Sequence, residues 1–315
     1  MTNNDTVQQQ TEGRRQYVWL IRYGKTHPPL LENIGNYDSD LHPDGIVHAA
    51  AVAERLASRI SSSPDSVPKI LYSDPFLRCM RTADVIAKTL NSTGRSNSGQ
   101  NSNGIKIRVE SGTTEWQVPS LLVDKDGERT HPRSTEELVK LFPGTLDREY
   151  RSINPEGPDR TASKSEEGDD EQANGDTSSI YPPRFPETEE QLHRRCQYTI
   201  QRILADVGDV DSFAIVGHAP CVQSMALALM GGEKPEDFPE LGPWSLGGMT
   251  LFSRPIGTDR SGIEEPVDSE GAEKRNENSD KWTLDLYNDT SHMPGEYKDG
   301  KLGRWSLPSF DRISV

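Results

Sequence analysis

The sequence predicts an α/β protein, a three-layer αβα sandwich around a mostly parallel sheet. Three observations predict it. Short apolar runs alternate with segments whose apolar residues recur at helical spacing, which places helices on both faces of one sheet. The polar and charged residues of greatest interest fall where those apolar runs stop, at the edge where α/β sheets bind ligands. The 315 residues are only 32% hydrophobic, with the polar excess gathered into three stretches, so one domain carrying polar insertions fits better than two domains.

The elements follow in chain order. Residues 1–15 read as a disordered polar tail, and Tyr17–Ile21 as the first strand. Gly45–Ile60 has Ile46, Ala49, Ala50, Ala53, Leu56 and Ile60 on one helical face, with Pro43 suited to its first turn. Lys69–Ser73 is a strand, Leu77–Leu90 a helix, Ile105–Glu110 a strand, Glu187–Val207 a long helix and Ser212–Val216 a strand. Ala219–Met230 is a further helix. Met249–Phe252 and Trp282–Tyr287 read as two late strands, a hairpin interrupted by an insertion. The insertions are 91–104, 155–180 and 254–281, rich in Gly, Ser, Asn and acids and too poor in apolar residues to offset the entropy of ordering. The domain is thus 16–295, followed by a C-terminal extension, 296–315.

Charge and composition exclude several functions. Residues 155–180 hold eight acids against two bases and 255–281 eight against four, so these two segments carry −10 of the net −15. The acidity therefore describes solvated insertions and says little about a pocket. No basic stripe with interleaved aromatics supports nucleic-acid binding. The longest apolar runs, such as Ser224–Met230, fall far short of the roughly 20 residues of a membrane span, so no membrane association is expected. The polar N-terminus lacks the apolar stretch of a secretory signal. Three cysteines, Cys79, Cys196 and Cys221, are odd in number and lack metal-ligand spacing. They read as reduced packing residues of a cytoplasmic protein, with the nucleus as the alternative compartment, and neither a metal nor a cofactor is expected.

Three strand ends carry the chemistry. The first runs into Arg22-Tyr23-Gly24. The second, "ILYSDPFLRCMRTA", puts Ser73 and Asp74 at its end and Arg78 at the start of the next helix. The third, "FAIVGHAP", puts His218 just before a helix. Two guanidinium forks, an imidazole and free N–H groups at helix N-termini suit a phosphate dianion. Arg78 opposes the dipole of the helix it begins, which asks for a compensating anion. Each piece alone has a plainer reading: a surface arginine, or a histidine satisfied in the core.

In order and context these motifs resemble the histidine phosphatase superfamily, with its phosphoglycerate mutase-like fold. "LIRYGKT" occupies the place of the strand–Arg-His-Gly motif, "LHPDG" that of the Leu-Thr-x-x-Gly helix start, "YSDPFLRCMRTADVIA" that of Ser-x-Pro-x-x-Arg-x-x-x-Thr-Ala, and "IVGHAP" that of the closing Gly/Ser-His. "GNYDSDLHPDG", "VESGTTEW" and "FPETEEQLHRRCQYTIQRIL" resemble one branch in particular, the ubiquitin-associated and SH3-domain phosphatases with the ecdysteroid-phosphate phosphatases. The resemblance implies attack on phosphorus by the first-motif histidine, arginines and a second histidine holding the phosphoryl oxygens, and an acid protonating the leaving group. Carried over, Arg22 and Arg78 are phosphate clamps, His218 is the second histidine with both a binding and a catalytic role, and Glu115 is the candidate general acid. A phosphorylated small molecule or a phosphoprotein is the implied partner, and a homodimer the candidate assembly.

Tyr23 stands in the nucleophile's place. A phenol, with a reference pKa of ~10, is overwhelmingly protonated where a neutral imidazole offers a lone pair. Lys25 and Thr26 likewise replace the branch's usual glutamate and arginine. Three expectations follow: a pseudophosphatase that still binds a phosphorylated ligand; an active phosphomonoesterase using Tyr23, His27 or directly activated water; or an interaction scaffold acting through its acidic insertions.

Overall fold

The computed structural model describes residues 14–27, 38–93, 104–123, 127–153, 185–208, 210–232, 237, 241–256 and 281–300. Among them one six-stranded sheet has the order β3-β2-β4-β1-β5-β6. Its strands are β1 (Arg15–Arg22), β2 (Ile70–Ser73), β3 (Ile107–Val109), β4 (Ser212–Gly217), β5 (Met249–Pro255) and β6 (Thr283–Asp289). β1, β2, β3 and β4 pair in parallel, whereas β5 runs antiparallel to both β1 and β6. The sheet is therefore mostly parallel, and β5 and β6 form the expected late hairpin.

Alternation along the central strands builds two cores. Trp19, Ile21, Leu71, Ala214 and Val216 point to one face, where they join Val52, Leu56, Met80 and Ile86 of α1 (Pro43–Ser58) and α2 (Leu77–Ser92). Val18, Leu20, Tyr72, Phe213 and Ile215 point to the other, against Leu192, Ile200, Val222 and Met225 of α5 (Glu189–Val207) and α6 (Ala219–Leu229). Because both faces are covered, strands such as β4 are buried throughout and read as nearly continuous apolar runs. This is the three-layer αβα arrangement.

Two short helices, α3 (Pro119–Leu122) and α4 (Thr135–Leu141), lie where no element was expected. With four and seven residues they show too little periodicity to read, although Ser134 and Glu137 form a capping box on α4. The expected boundaries also move. β1 starts at Arg15, inside the segment read as tail, and β5 continues to Pro255, inside the segment read as the third insertion. Pairing is the reason: Arg15 lies opposite Pro255, and Gln16 opposite Arg254, whose guanidinium donates to the Gln16 side-chain oxygen at 2.8 Å. Residues 296–300, assigned to the extension, pack on the domain through Tyr297, whose ring lies 4.3 Å from that of His48, and Gly300, whose carbonyl accepts from Ser245 Oγ. Residues 94–103, 154–184 and 257–280, the bulk of the three insertions, fall outside the described residues, as do 1–13 and 301–315. None of the described helices is long and apolar enough to cross a membrane.

Candidate functional site

The carboxyl ends of β1, β2 and β4, with the loop that follows β3, bring Arg22, Tyr23, Arg78, Glu115 and His218 together. Tyr23 follows the last residue of β1 and is half-buried. Its backbone is fixed on both sides, by donation to Gly217 O at 3.3 Å and acceptance from Gly247 N at 3.1 Å. Gly24 then donates to Thr82 Oγ1 at 3.2 Å, linking the turn to the "RTA" segment of α2. Gly24 and Gly45 face each other where this turn crosses the start of α1: a Cβ on Gly45 would sit 1.9 Å from Lys25 O, and one on Gly24 2.5 Å from Gly45 O. Only residues without a side chain allow that approach, which explains the glycine of "LHPDG".

Around the Tyr23 ring stand Arg22 and Arg78, with guanidinium carbons 5.5 and 5.2 Å from its centroid, and His218, edge-on at 5.2 Å. Arg22 Nη1 donates to Trp244 O at 2.6 Å. Arg78 is the second residue of α2, whose N-cap Phe76 offers no capping side chain. Two buried carboxylates cap the helix instead. Asp38 accepts from Leu77 N and Asp74 from Phe76 N, each at 2.6 Å. They favour the positive end of the helix dipole where Arg78 does not. Burial pushes the Asp38 carboxyl up to about 6, against the opposing pull of the Leu77 N–H and Arg133.

The anion that Arg78 asks for is Glu115, with Oε2 3.3 Å from Arg78 Nη2 and 2.6 Å from His218 Nδ1. Its other oxygen accepts from Trp116 N at 3.0 Å. Burial alone would raise the Glu115 carboxyl, but His218, Arg78 and the Trp116 N–H outweigh it and hold the group down at about 2. Glu115 therefore rests as a carboxylate, and donating a proton would first require release from its partners. His218 is fully buried as the N-cap of α6, and its Nε2 lies 3.3 Å from Asp74 Oδ1 and 3.5 Å from Cys79 Sγ. Burial disfavours the imidazolium, yet Cys79, Glu115 and Asp74 together push the His218 pKa well above its ordinary value. Both ring nitrogens thus face protein groups.

Residues unnoticed in the sequence hold this arrangement. Arg195 on α5 forms a two-pronged pair with Glu187 at 2.8 and 2.9 Å, and also donates to the carbonyls of Gly112 and Thr114. Trp116 Nε1 donates to Glu187 O at 3.0 Å. The "VESGTTEW" loop carrying Glu115 is therefore tied to the start of α5 by hydrogen bonds to the two members of a buried ion pair. An acid just before a helix with an arginine two turns inside it was the available signal. Other candidates lie apart from the cluster. Lys25 Nζ pairs with Asp44 at 2.6 Å at the mouth of α1, His27 is exposed with its ring 5.1 Å from that of His42, and His292 lies 3.1 Å from Gly247 O.

Known proteins are similar to this chain at three levels. At the level of curated proteins, the chain is 24% identical over 225 residues to the transcription factor tau 55 kDa subunit of Saccharomyces cerevisiae; the match takes in 69% of this chain and 42% of the relative, so the chain spans less than half of that protein's length. Among solved structures, a mycobacterial glucosyl-3-phosphoglycerate phosphatase is 18% identical, with a TM-score of 0.46, over 87% of this chain and 99% of that one. The ecdysone phosphate phosphatase of Bombix mori, in complex with tungstate, is 16% identical, with a TM-score of 0.46, over 82% and 97%. Residues 18–98, which run from β1 past α2 and include Arg22, Tyr23 and Arg78, match the family described as Histidine phosphatase superfamily (branch 1). Over residues 18–98, therefore, the chain is similar to the histidine phosphatase superfamily.

Proposed function

We propose that this protein binds a phosphorylated ligand, a small molecule or a phosphoprotein, between Arg22 and Arg78 without hydrolysing it. It is in this reading a pseudophosphatase of the branch that contains the ecdysteroid-phosphate phosphatases. The observation that carries the reading is the place of Tyr23: it sits at the carboxyl end of β1, its ring flanked by two guanidinium groups at 5.5 and 5.2 Å. That is where the superfamily's histidine attacks phosphorus, and a phenol does not supply the imidazole lone pair on which the reaction depends. The state of Glu115 supports the same conclusion. A carboxylate clasped by His218 and Arg78 has no proton ready for a leaving oxygen. What remains is cationic: the guanidinium forks suit phosphoryl oxygens geometrically whether or not bond breaking follows.

Wild-type protein incubated with p-nitrophenyl phosphate across pH 5–9 should show no turnover above background, while phosphate or vanadate raises its melting temperature and Arg78→Ala removes that rise. Tyr23→His should then restore hydrolysis. A wild-type rate abolished by Tyr23→Phe would overturn the proposal in favour of a tyrosine nucleophile supported by the flanking arginines.

A second reading has its own support in the yeast relative, which is named as a transcription factor subunit. On that reading the domain serves as a scaffold within an assembly, and the phosphate site is a remnant. Indifference of the melting temperature to both anions, together with co-purification of stoichiometric partner subunits through tagged protein, is the outcome that favours it.

A further inference from the structure

We propose that Asp74, Cys79 and His218 form a buried transition-metal site, suited to zinc, directly behind the Tyr23 pocket. The three side chains come from the end of β2, the first turn of α2 and the residue after β4, and each can offer one ligand atom within 4.8 Å of the other two. All three are fully buried. Spacing in the sequence conceals the set, because His218 is distant along the chain and enters only through the parallel pairing of β2 with β4.

The two separations measured from the imidazole match a coordination polyhedron. Tetrahedral zinc with Zn–N of about 2.05 Å, Zn–S of about 2.3 Å and Zn–O of about 2.1 Å puts nitrogen and sulfur about 3.6 Å apart and nitrogen and oxygen about 3.4 Å apart. His218 Nε2 lies 3.5 Å from Cys79 Sγ and 3.3 Å from Asp74 Oδ1. One thiolate, one imidazole and one carboxylate make a mixed donor set of the kind zinc accepts.

Two further observations point independently to a cation. Asp74 Oδ1 already accepts from Phe76 N, whereas the second oxygen of the same carboxylate, Oδ2, is buried without a hydrogen-bond partner, an unfavourable condition that a metal bond relieves. On the opposite side of the ring, Glu115 Oε2 lies 2.6 Å from His218 Nδ1. A carboxylate there fixes the hydrogen on Nδ1 and turns the Nε2 lone pair toward Cys79 and Asp74, the carboxylate–histidine–metal relay found around zinc. Glu115 is then a positioning residue for the site. Binding a metal displaces the Cys79 thiol proton and any proton on His218 Nε2, while the Nδ1 hydrogen stays toward Glu115.

The site shares His218 with the proposed anion pocket but requires neither phosphate binding nor catalysis. Cys79 has no part in that pocket, so Cys79→Ser lets the two ideas fail separately. The test is the metal content of full-length protein produced in zinc-supplemented medium, by mass spectrometry after desalting. Wild type and the control Cys196→Ser should each carry about one equivalent, and Cys79→Ser and Asp74→Asn far less. Because a variant could fail to fold, cobalt-grown wild type supplies a second readout: a thiolate-to-cobalt charge-transfer band, with the visible intensity of a tetrahedral ion. Glu115→Gln should weaken metal affinity by ~10–100-fold in a chelator competition. Metal-free folded wild type overturns the proposal. Metal retained at full occupancy in folded Cys79→Ser, or a cobalt spectrum without the thiolate band, overturns it equally.

Discussion

Tyr23 and Gly45 show how single positions set the site. Tyr23 supplies ring surface to two guanidinium groups and to His218, so its replacement tests chemistry more than stability. Gly45 does the reverse. Its missing Cβ lets the Lys25 carbonyl pass, and Gly45→Ala should destabilise the domain by about 1–3 kcal/mol because backbone, rather than a flexible side-chain end, stands in the way. Urea denaturation measures that loss. The same variant should weaken any phosphate-dependent rise in melting temperature, since the displaced segment carries Tyr23. At this scale much was legible: Arg22, Arg78, Glu115 and His218 each stand beside a recognisable strand end or turn. Asp74 and Cys79 were visible only as a strand-end polar residue and a packing thiol, because neither takes on further meaning until His218 arrives from another strand.

Among the elements, α5 has a role beyond packing. Its Arg195 lies with Glu187 in a pair whose side chains are 1% and 2% exposed, and the same guanidinium holds the carbonyls of the Glu115 loop. Arg195→Met strands the Glu187 carboxylate in the interior and should cost ~3–5 kcal/mol, whereas adding Glu187→Leu should recover a large part of it. Chemical denaturation of the single and double variants measures both values. The strands and long helices were readable because apolar runs and helical periodicity are local properties. The limits of β1 and β5 were not, since they are set by each other: Arg15 and Pro255 belong to the sheet because they are paired, whatever their composition. The Arg195–Glu187 tie escaped for the same reason, its targets being carbonyls of a distant loop.

Over the whole molecule, two buried groups oppose one another in acid. Asp38 has its carboxyl raised to about 6, so the folded state holds a proton that the unfolded chain releases near pH 4; this contribution is fully present below that pH and is lost as pH rises through 6. His48 is lowered to about 4 by burial, so its contribution is present above the ordinary histidine range and is lost as pH falls toward 4. Between pH 4 and 6.5 the two slopes have opposite signs and partly cancel. Asp38→Asn should unmask the His48 slope, giving stability that climbs more steeply with pH across this window than in wild type. Denaturation midpoints at pH 4.5, 5.5 and 6.5 check it, and parallel profiles for the two proteins would refute it.

The placing of β1 also governs when this protein can come into being. Although the earliest of the described strands, β1 lies between β4 and β5, with Arg22 in register with Gly217 about 200 residues later. At ~5–20 residues per second of synthesis, a ribosome needs roughly 10–40 s to deliver those neighbours. Throughout that interval the apolar stretch of β1, "YVWLI", has emerged without its partners. β1 therefore cannot take its place in the sheet until β4 and β5 have been made.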